Sequence, residues 1–247
     1  MGRLGGLFER EVIRRWDRAA LEAQTLDPVG LKALSDRSRR MARSLDRAIQ
    51  AADAQLAGAP AIPRPLHTEW AWRPELWSSP VRPAGLVPVS NGTEFGREAR
   101  IFHDCPEAEV SVRQSRNSTP AGAAPYGLHL DVYGFRGGFL SVAVDLPAEA
   151  IAGLSRRHIF RLGILRESER ATAIYARLNV RHGPNVEQIA RLLDDGDEAF
   201  ADFDVATTGI DEDRVSGAWL DLIFEAPEMN RIWIGELTLS RRPRAEI

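Results

Sequence analysis

The chain has 247 residues, 44% hydrophobic and 27% charged, which suits a sizeable folded core and excludes disorder throughout. Its formal net charge of −3 argues against nucleic-acid binding, which rests on neutralising phosphates. The single cysteine, Cys105, excludes an intrachain disulfide, and no segment approaches the ~20 apolar residues that span a bilayer.

The first 23 residues predict a short helix over 4–23, with Leu7, Val12, Trp16 and Ala20 at roughly helical spacing. Asp27 then Pro28 read as an N-cap and a first-turn proline. A second helix is expected from Pro28 to about Leu56, closed by Gly58 and Pro60. Its stripe of Leu31, Leu34, Met41, Leu45 and Ile49 has near-heptad spacing, and Ser38 interrupts it. The other face carries Arg37, Arg39, Arg40, Arg43 and Arg47. Such a helix must bury one side. It can form a hairpin with the first helix, dock on the main domain, engage a protein partner or self-associate through 28–56, or lie on an anionic membrane. Residues 1–58 hold 11 basic and 8 acidic side chains, so the acidic excess lies downstream.

Residues 58–94 contain seven prolines and Trp70, Trp72 and Trp77. The prolines exclude long regular structure. The tryptophans predict a strap lying against the core. From about residue 95, short period-two alternations recur between Gly/Pro/Asn/Asp breakers. Strands are expected at 99–103, 109–114, 126–133, 139–146, 158–164, 172–181, 200–207, 219–225 and 231–240. Short helices are expected at 148–154 and 185–193. Nine strands without long helices between them mean an antiparallel sandwich. The division expected is therefore 1–57 helical arm, 58–94 strap, and 95–247 β-sandwich.

Alternation assigns faces. Leu128, Leu130 and Val132 point inward, leaving His129, Asp131 and Tyr133 outward. Ile174, Ala176, Leu178 and Val180 oppose Tyr175, Arg177, Asn179 and Arg181. Leu220, Leu222 and Phe224 oppose Trp219, Asp221 and Ile223. Aromatic rings stack on sugar C–H faces, and planar Arg, Asn and Asp groups bond hydroxyls. If Asp131, Tyr133, Tyr175, Arg177, Asn179, Arg181 and Trp219 share a sheet, they form a carbohydrate platform. Cross-strand ion pairs on a solvated face explain the same residues. Trp233 on the last strand is left to explain.

The remaining chemistry is sparse. His103-Asp104-Cys105 lacks zinc-ligand spacing. His182 beside Gly183-Pro184 lacks a Ser or Cys motif, and the acids of 194–213 lack the spacing of a calcium loop. No catalytic residue, metal or cofactor is expected.

Two resemblances stand on specific residues. Phe200-Ala-Asp-Phe203, Trp219-Leu-Asp-Leu-Ile-Phe224, Pro227 and Ile232-Trp-Ile-Gly-Glu-Leu-Thr-Leu239 resemble the end of jelly-roll carbohydrate-binding modules of the galactose-binding-like type. That resemblance implies a mainly β, antiparallel jelly-roll sandwich, with the N-terminal helical arm outside it. Trp70-Ala-Trp-Arg-Pro-Glu-Leu-Trp77, Phe102-His-Asp-Cys105, Ala176 to Asn185, and Arg241-Arg-Pro-Arg-Ala-Glu246 resemble an uncharacterised alphaproteobacterial family of unknown function, which implies no activity. The expected function is non-catalytic glycan binding. The alternatives are a cytoplasmic assembly subunit using the second helix and, third, a glycoside-active enzyme. With no apolar leader or cleavage pattern, the expected location is the cytoplasm.

Overall fold

The computed structural model describes residues 4–56, 62, 64–107, 109–117 and 124–244. The expected helix stop at Gly58 and Pro60, and most of the turn after Asn117, lie outside these. The chain forms two compact units that divide between Ala52 and Asp53.

The first unit holds α1 (Leu4–Glu22) and most of α2 (Pro28–Leu56), joined through residues 23–27. Asp27 caps α2: its carboxylate accepts the Gly30 amide at 2.8 Å. The Arg37 guanidinium lies 5.1 Å from the Trp16 ring centre and joins the two helices. No helix among the described residues is long and apolar enough to cross a membrane.

The second unit is a jelly-roll sandwich of two antiparallel sheets. Its strands are β1 (Trp70–Trp72), β2 (Gly85–Leu86), β3 (Thr93–Phe95), β4 (Ala99–His103), β5 (Val110–Arg116), β6 (Tyr126–Val132), β7 (Leu140–Asp145), β8 (His158–Ser168), β9 (Ile174–His182), β10 (Asn185–Leu192), β11 (Glu198–Asp204), β12 (Val215–Phe224) and β13 (Asn230–Pro243). Two single-turn helices, α3 (Glu75–Ser78) and α4 (Ala148–Ile151), interrupt them. Sheet A runs β11-β8-β13-β6-β5-β2, with β1 also on β13. Sheet B runs β10-β9-β12-β7-β4-β3.

The nine expected strands are present within a few residues. The period-two logic holds: Leu128, Leu130, Phe160, Leu162, Ile232 and Ile234 of sheet A are buried, as are Leu178, Leu220, Leu222, Phe224, Val142 and Ile101 of sheet B, all in one core. Residues 185–193 correct the reading. The sequence pattern predicts a helix, but 185–192 is edge strand β10. Gly183 (φ 53°) and Pro184 close a two-residue turn that pairs His182 with Asn185. A positive-φ Gly in the first turn position suits a hairpin, so the local turn and the open edge of β9 override helix propensity.

The strap is built into the sandwich. Trp77 is fully buried, and its indole N–H donates to the Ile234 carbonyl at 2.9 Å. Trp70 sits 6.1 Å from Trp72 and 6.2 Å from Phe160, ring centre to ring centre. The Gln114 amide donates to the carbonyls of Leu76 and Ser79 at 2.7 and 2.8 Å, and its oxygen accepts from Val81 N–H. Arg73 pairs with Glu236 at 2.6 Å. Backbone that prolines keep out of a sheet is thus satisfied by side chains.

Candidate functional site

The expected platform divides between the sheets. Tyr175, Arg177, Asn179 and Arg181 on β9 stand beside Trp219 on β12, on the outer face of sheet B. Asp131 and Tyr133 belong to β6 and its end, in sheet A. The condition that all seven share a sheet is not met: Asp131 pairs with Arg231 at 2.7 Å and lies 3.5 Å from Arg113, not near Arg177. Strand order, which alternation cannot supply, decides this.

On sheet B most of these groups bond one another, although the buried Asn179 Oδ1 has no partner among the described residues. Arg177 and Asn179 both donate to Asp221 Oδ2, at 2.8 and 2.9 Å. The Arg181 guanidinium sits 5.4 Å from the Trp219 ring centre. Arg100 reaches Asp145 at 3.1 Å. These are the cross-strand pairs of an outer sheet face, closed over the buried Asn179 and Asp221. Removing one partner should still register. Arg177→Ala leaves the buried Asp221 carboxylate with Asn179 alone and should cost about 1–3 kcal/mol in a urea titration, whereas Tyr175→Ala should cost less than about 0.5 kcal/mol.

Sheet A carries the more open arrangement. A pocket of about 500 Å³ is lined by Ser115, Arg116, Asn117, His129, Glu167, Arg231 and Trp233, among others. Registry brings these together: Trp233 on β13 stands opposite His129 on β6 and Glu167 on β8, and His129 opposite Arg113 on β5. The Trp233 indole lies down over two glycines. A Cβ at Gly127 would collide with Trp233 Nε1 and Asn117 Oδ1, and a Cβ at Gly235 with Cη2 and Cζ2 of the same ring. Gly235 is also where β13 shifts register against β8, and bulges re-aim side chains. The ring is therefore held low on the sheet and half-buried, and it lines the pocket.

Around it are unspent polar groups. Asn117 donates to the Ala124 and Gly235 carbonyls at 2.7 and 2.8 Å, fixing the bulge, while its buried Oδ1 has no partner among the described residues. His129 Nε2 lies 2.7 Å from Ser115 Oγ, and its buried Nδ1 is likewise unpartnered. Glu167 forms no ion pair among the described residues, while Arg231 bridges Asp131 and Glu169, at 2.7 and 3.3 Å. The site thus offers an aromatic surface and the exposed Glu167 carboxylate beside Arg231 and Ser115, while Asn117 Oδ1 and His129 Nδ1 lie buried behind them.

Burial, helped by the Arg113 charge, pushes the His129 pKa down from its ordinary 6.5, so the ring is neutral near neutral pH. Burial disfavours the charged Asp131 carboxylate, but the Arg231 and Arg113 guanidinium groups hold its pKa below the usual range. The signs have consequences. The unfolded chain takes up a proton at His129 more readily than the folded one. That contribution to stability is complete above pH 6.5 and is lost as pH falls below it. Urea midpoints should therefore drop between about pH 7.5 and about pH 5.5, and His129→Gln should shrink the drop. An equal drop in both proteins would contradict this assignment.

The other candidates are structural. Buried His103 bonds the Val89 carbonyl at 2.9 Å, Asp104 accepts the Gly138 and Phe139 amides, and Cys105 is buried. His182 Nδ1 accepts the Asp211 amide at 3.1 Å. Arg166 donates to the Asp194 and Gly196 carbonyls and so anchors the acidic loop. Among the described residues no three metal-binding side chains cluster. Alternation places His129 outward and leaves Trp233 to explain, but Gly127, Gly235 and Asn117 become meaningful only through cross-strand registry. The one early signal was a tryptophan followed two residues later by glycine.

No curated protein matches the chain in sequence. Among solved structures it is similar to the enzymatically active domain of tailspike protein 4 of bacteriophage CBA120 (13% identity, 62% of this chain, 21% of that one, TM-score 0.44). It is also similar to the CBM22-1–GH10 modules of Clostridium thermocellum endo-1,4-β-D-xylanase 10B complexed with xylohexaose (9% identity, 59% and 29%, TM-score 0.38). A third is the family 11 carbohydrate-binding module of Clostridium thermocellum in complex with a β-1,3-1,4-mixed-linked tetrasaccharide (10% identity, 65% and 97%, TM-score 0.36). The chain spans less than a third of the first two structures. A sequence family covers residues 2–247, nearly the whole chain, and the protein belongs to that family of unknown function, DUF6478.

Proposed function

We propose that the sandwich is a non-catalytic carbohydrate-binding module whose ligand site is the Trp233 pocket. One observation carries this reading: Trp233 is laid over Gly127 and Gly235 in a pocket also lined by Ser115 and by the exposed Glu167 and Arg231. An indole stacks on the apolar face of a pyranose ring, and planar polar groups at its rim bond the equatorial hydroxyls. Both requirements meet here. A catalytic use of Ser115 and His129 lacks support: a base needs an orienting partner, and His129 Nδ1 has none among the described residues.

The outer face of sheet B, with Tyr175, Arg177, Asn179, Arg181 and Trp219, is the second place a sugar could lie. A glycan array decides between them. The wild-type protein should retain a defined set of glycans, and the Tyr175→Ala/Arg177→Ala double variant should retain the same set. Loss of binding in the double variant would move the site to sheet B. No binding by the wild type would sink the carbohydrate reading.

A further inference from the structure

The second compact unit has a site; the first has an unfinished surface. A heptad counted from Leu31 puts Leu31, Leu34, Ser38, Met41, Leu45 and Ala48 on the a and d seam of α2. The flanking e and g positions are Ser35, Ala42, Ser44, Ile49 and Ala51, with Arg37 the one charge among them. Arg37 is turned over Trp16 of α1. The other charged residues between 31 and 52 all fall at b, c and f. A face of this length without a free charge is what helix-on-helix burial needs, and small residues at its flanks allow close approach of the axes.

Helix α1 leaves much of this seam open. Leu31, Met41, Leu45 and Ile49 are 42, 40, 56 and 46% exposed, while Leu34 and Ser38 are partly covered. The charges say what covers it. Residues 28–44 hold five basic side chains and one acid, and residues 45–56 hold one basic side chain and two acids. A parallel pairing of two copies sets the basic halves against each other. An antiparallel pairing sets the basic half of one copy along the acidic half of the other.

We propose that α2 pairs antiparallel with α2 of a second copy of this chain, so that the α1 and α2 helices of both copies form a four-helix bundle. Antiparallel bundles of this kind bury a- and d-type seams with axes 8–10 Å apart. An anionic membrane is the competing occupant. The absence of any aromatic residue between 28 and 56 argues against it.

Light scattering on the full chain should give about twice the 27.4 kDa chain mass. Leu45→Glu and Met41→Glu, both at exposed positions, should each halve that mass while leaving the circular dichroism spectrum unchanged. In a Cys105→Ser background, Leu31→Cys should cross-link to Ala52→Cys and not to itself. A wild-type monomer, variants that keep the doubled mass, self-cross-linking of Leu31→Cys, or a monomer that co-sediments with phosphatidylserine vesicles would each overturn the proposal. None of these outcomes depends on whether the sandwich binds a glycan.

Discussion

Trp233→Ala should weaken binding of any glycan the protein retains by about 2 kcal/mol or more, roughly 30-fold in Kd. The size follows from the ring's position. Trp233 lines the pocket together with Asn117, His129 and Glu167. Removing it takes away the apolar surface on which the proposed sugar would stack. The fold should survive, because the ring is half-buried on the outer face rather than in the core. Isothermal titration with an array-positive glycan measures this, and an unchanged thermal midpoint separates loss of binding from loss of structure. The glycines support the same account. Gly235→Ala sets a methyl where the ring now lies, so it should lift the indole and cut affinity without removing any polar group. Wild-type affinity in Gly235→Ala would mean that the ring's low position is irrelevant.

The largest effect on stability is expected at Trp77. Trp77→Ala should destabilise the sandwich by about 3–5 kcal/mol, a fall of roughly 10 °C or more in Tm. Trp77 is fully buried, packs in the common core and donates to the Ile234 carbonyl. The substitution opens a large cavity and strips a buried carbonyl of its donor. Ile234 lies between Trp233 and Gly235 on β13, so the strap supports the stretch of strand that carries the pocket. Trp77→Phe fills much of the cavity but cannot donate, and should recover part of the loss. Calorimetric or fluorescence melting of both variants checks this. A Trp77→Ala midpoint within about 2 °C of wild type would contradict a core role for the strap.

Much of the fold is legible in the sequence because it rests on local rules. Asp27-Pro28 starts α2, and alternation at 126–133, 219–225 and 231–240 marks strands whose inward residues are in fact buried. Where sequence pattern fails, non-local pairing wins. Residues 185–192 have helix-like spacing of Val186, Ile189 and Leu192, yet the Gly183–Pro184 turn and the free edge of β9 make them a strand. The strand read as ending near Ile164 runs to Ser168, which hides Glu167 from a sequence-based list of pocket residues.

The site is less legible than the fold for a similar reason. Asp131 and Arg177 have side chains suited to a common platform, but β6 and β9 lie in different sheets. Asp131 meets Arg231, a residue 100 positions away. Trp233 owes its attitude to Gly127 across the strand pair and to the register shift at Gly235. Neither glycine announces that role by its neighbours in the chain.

The pocket's claim to be the sugar site is tested most directly by the tryptophan indole N–H resonances during a glycan titration. With an array-positive glycan, the Trp233 signal should shift and saturate, while the signals of Trp77 and Trp219 stay in place. A shift at Trp219 with Trp233 unmoved would contradict the account and place the ligand on sheet B.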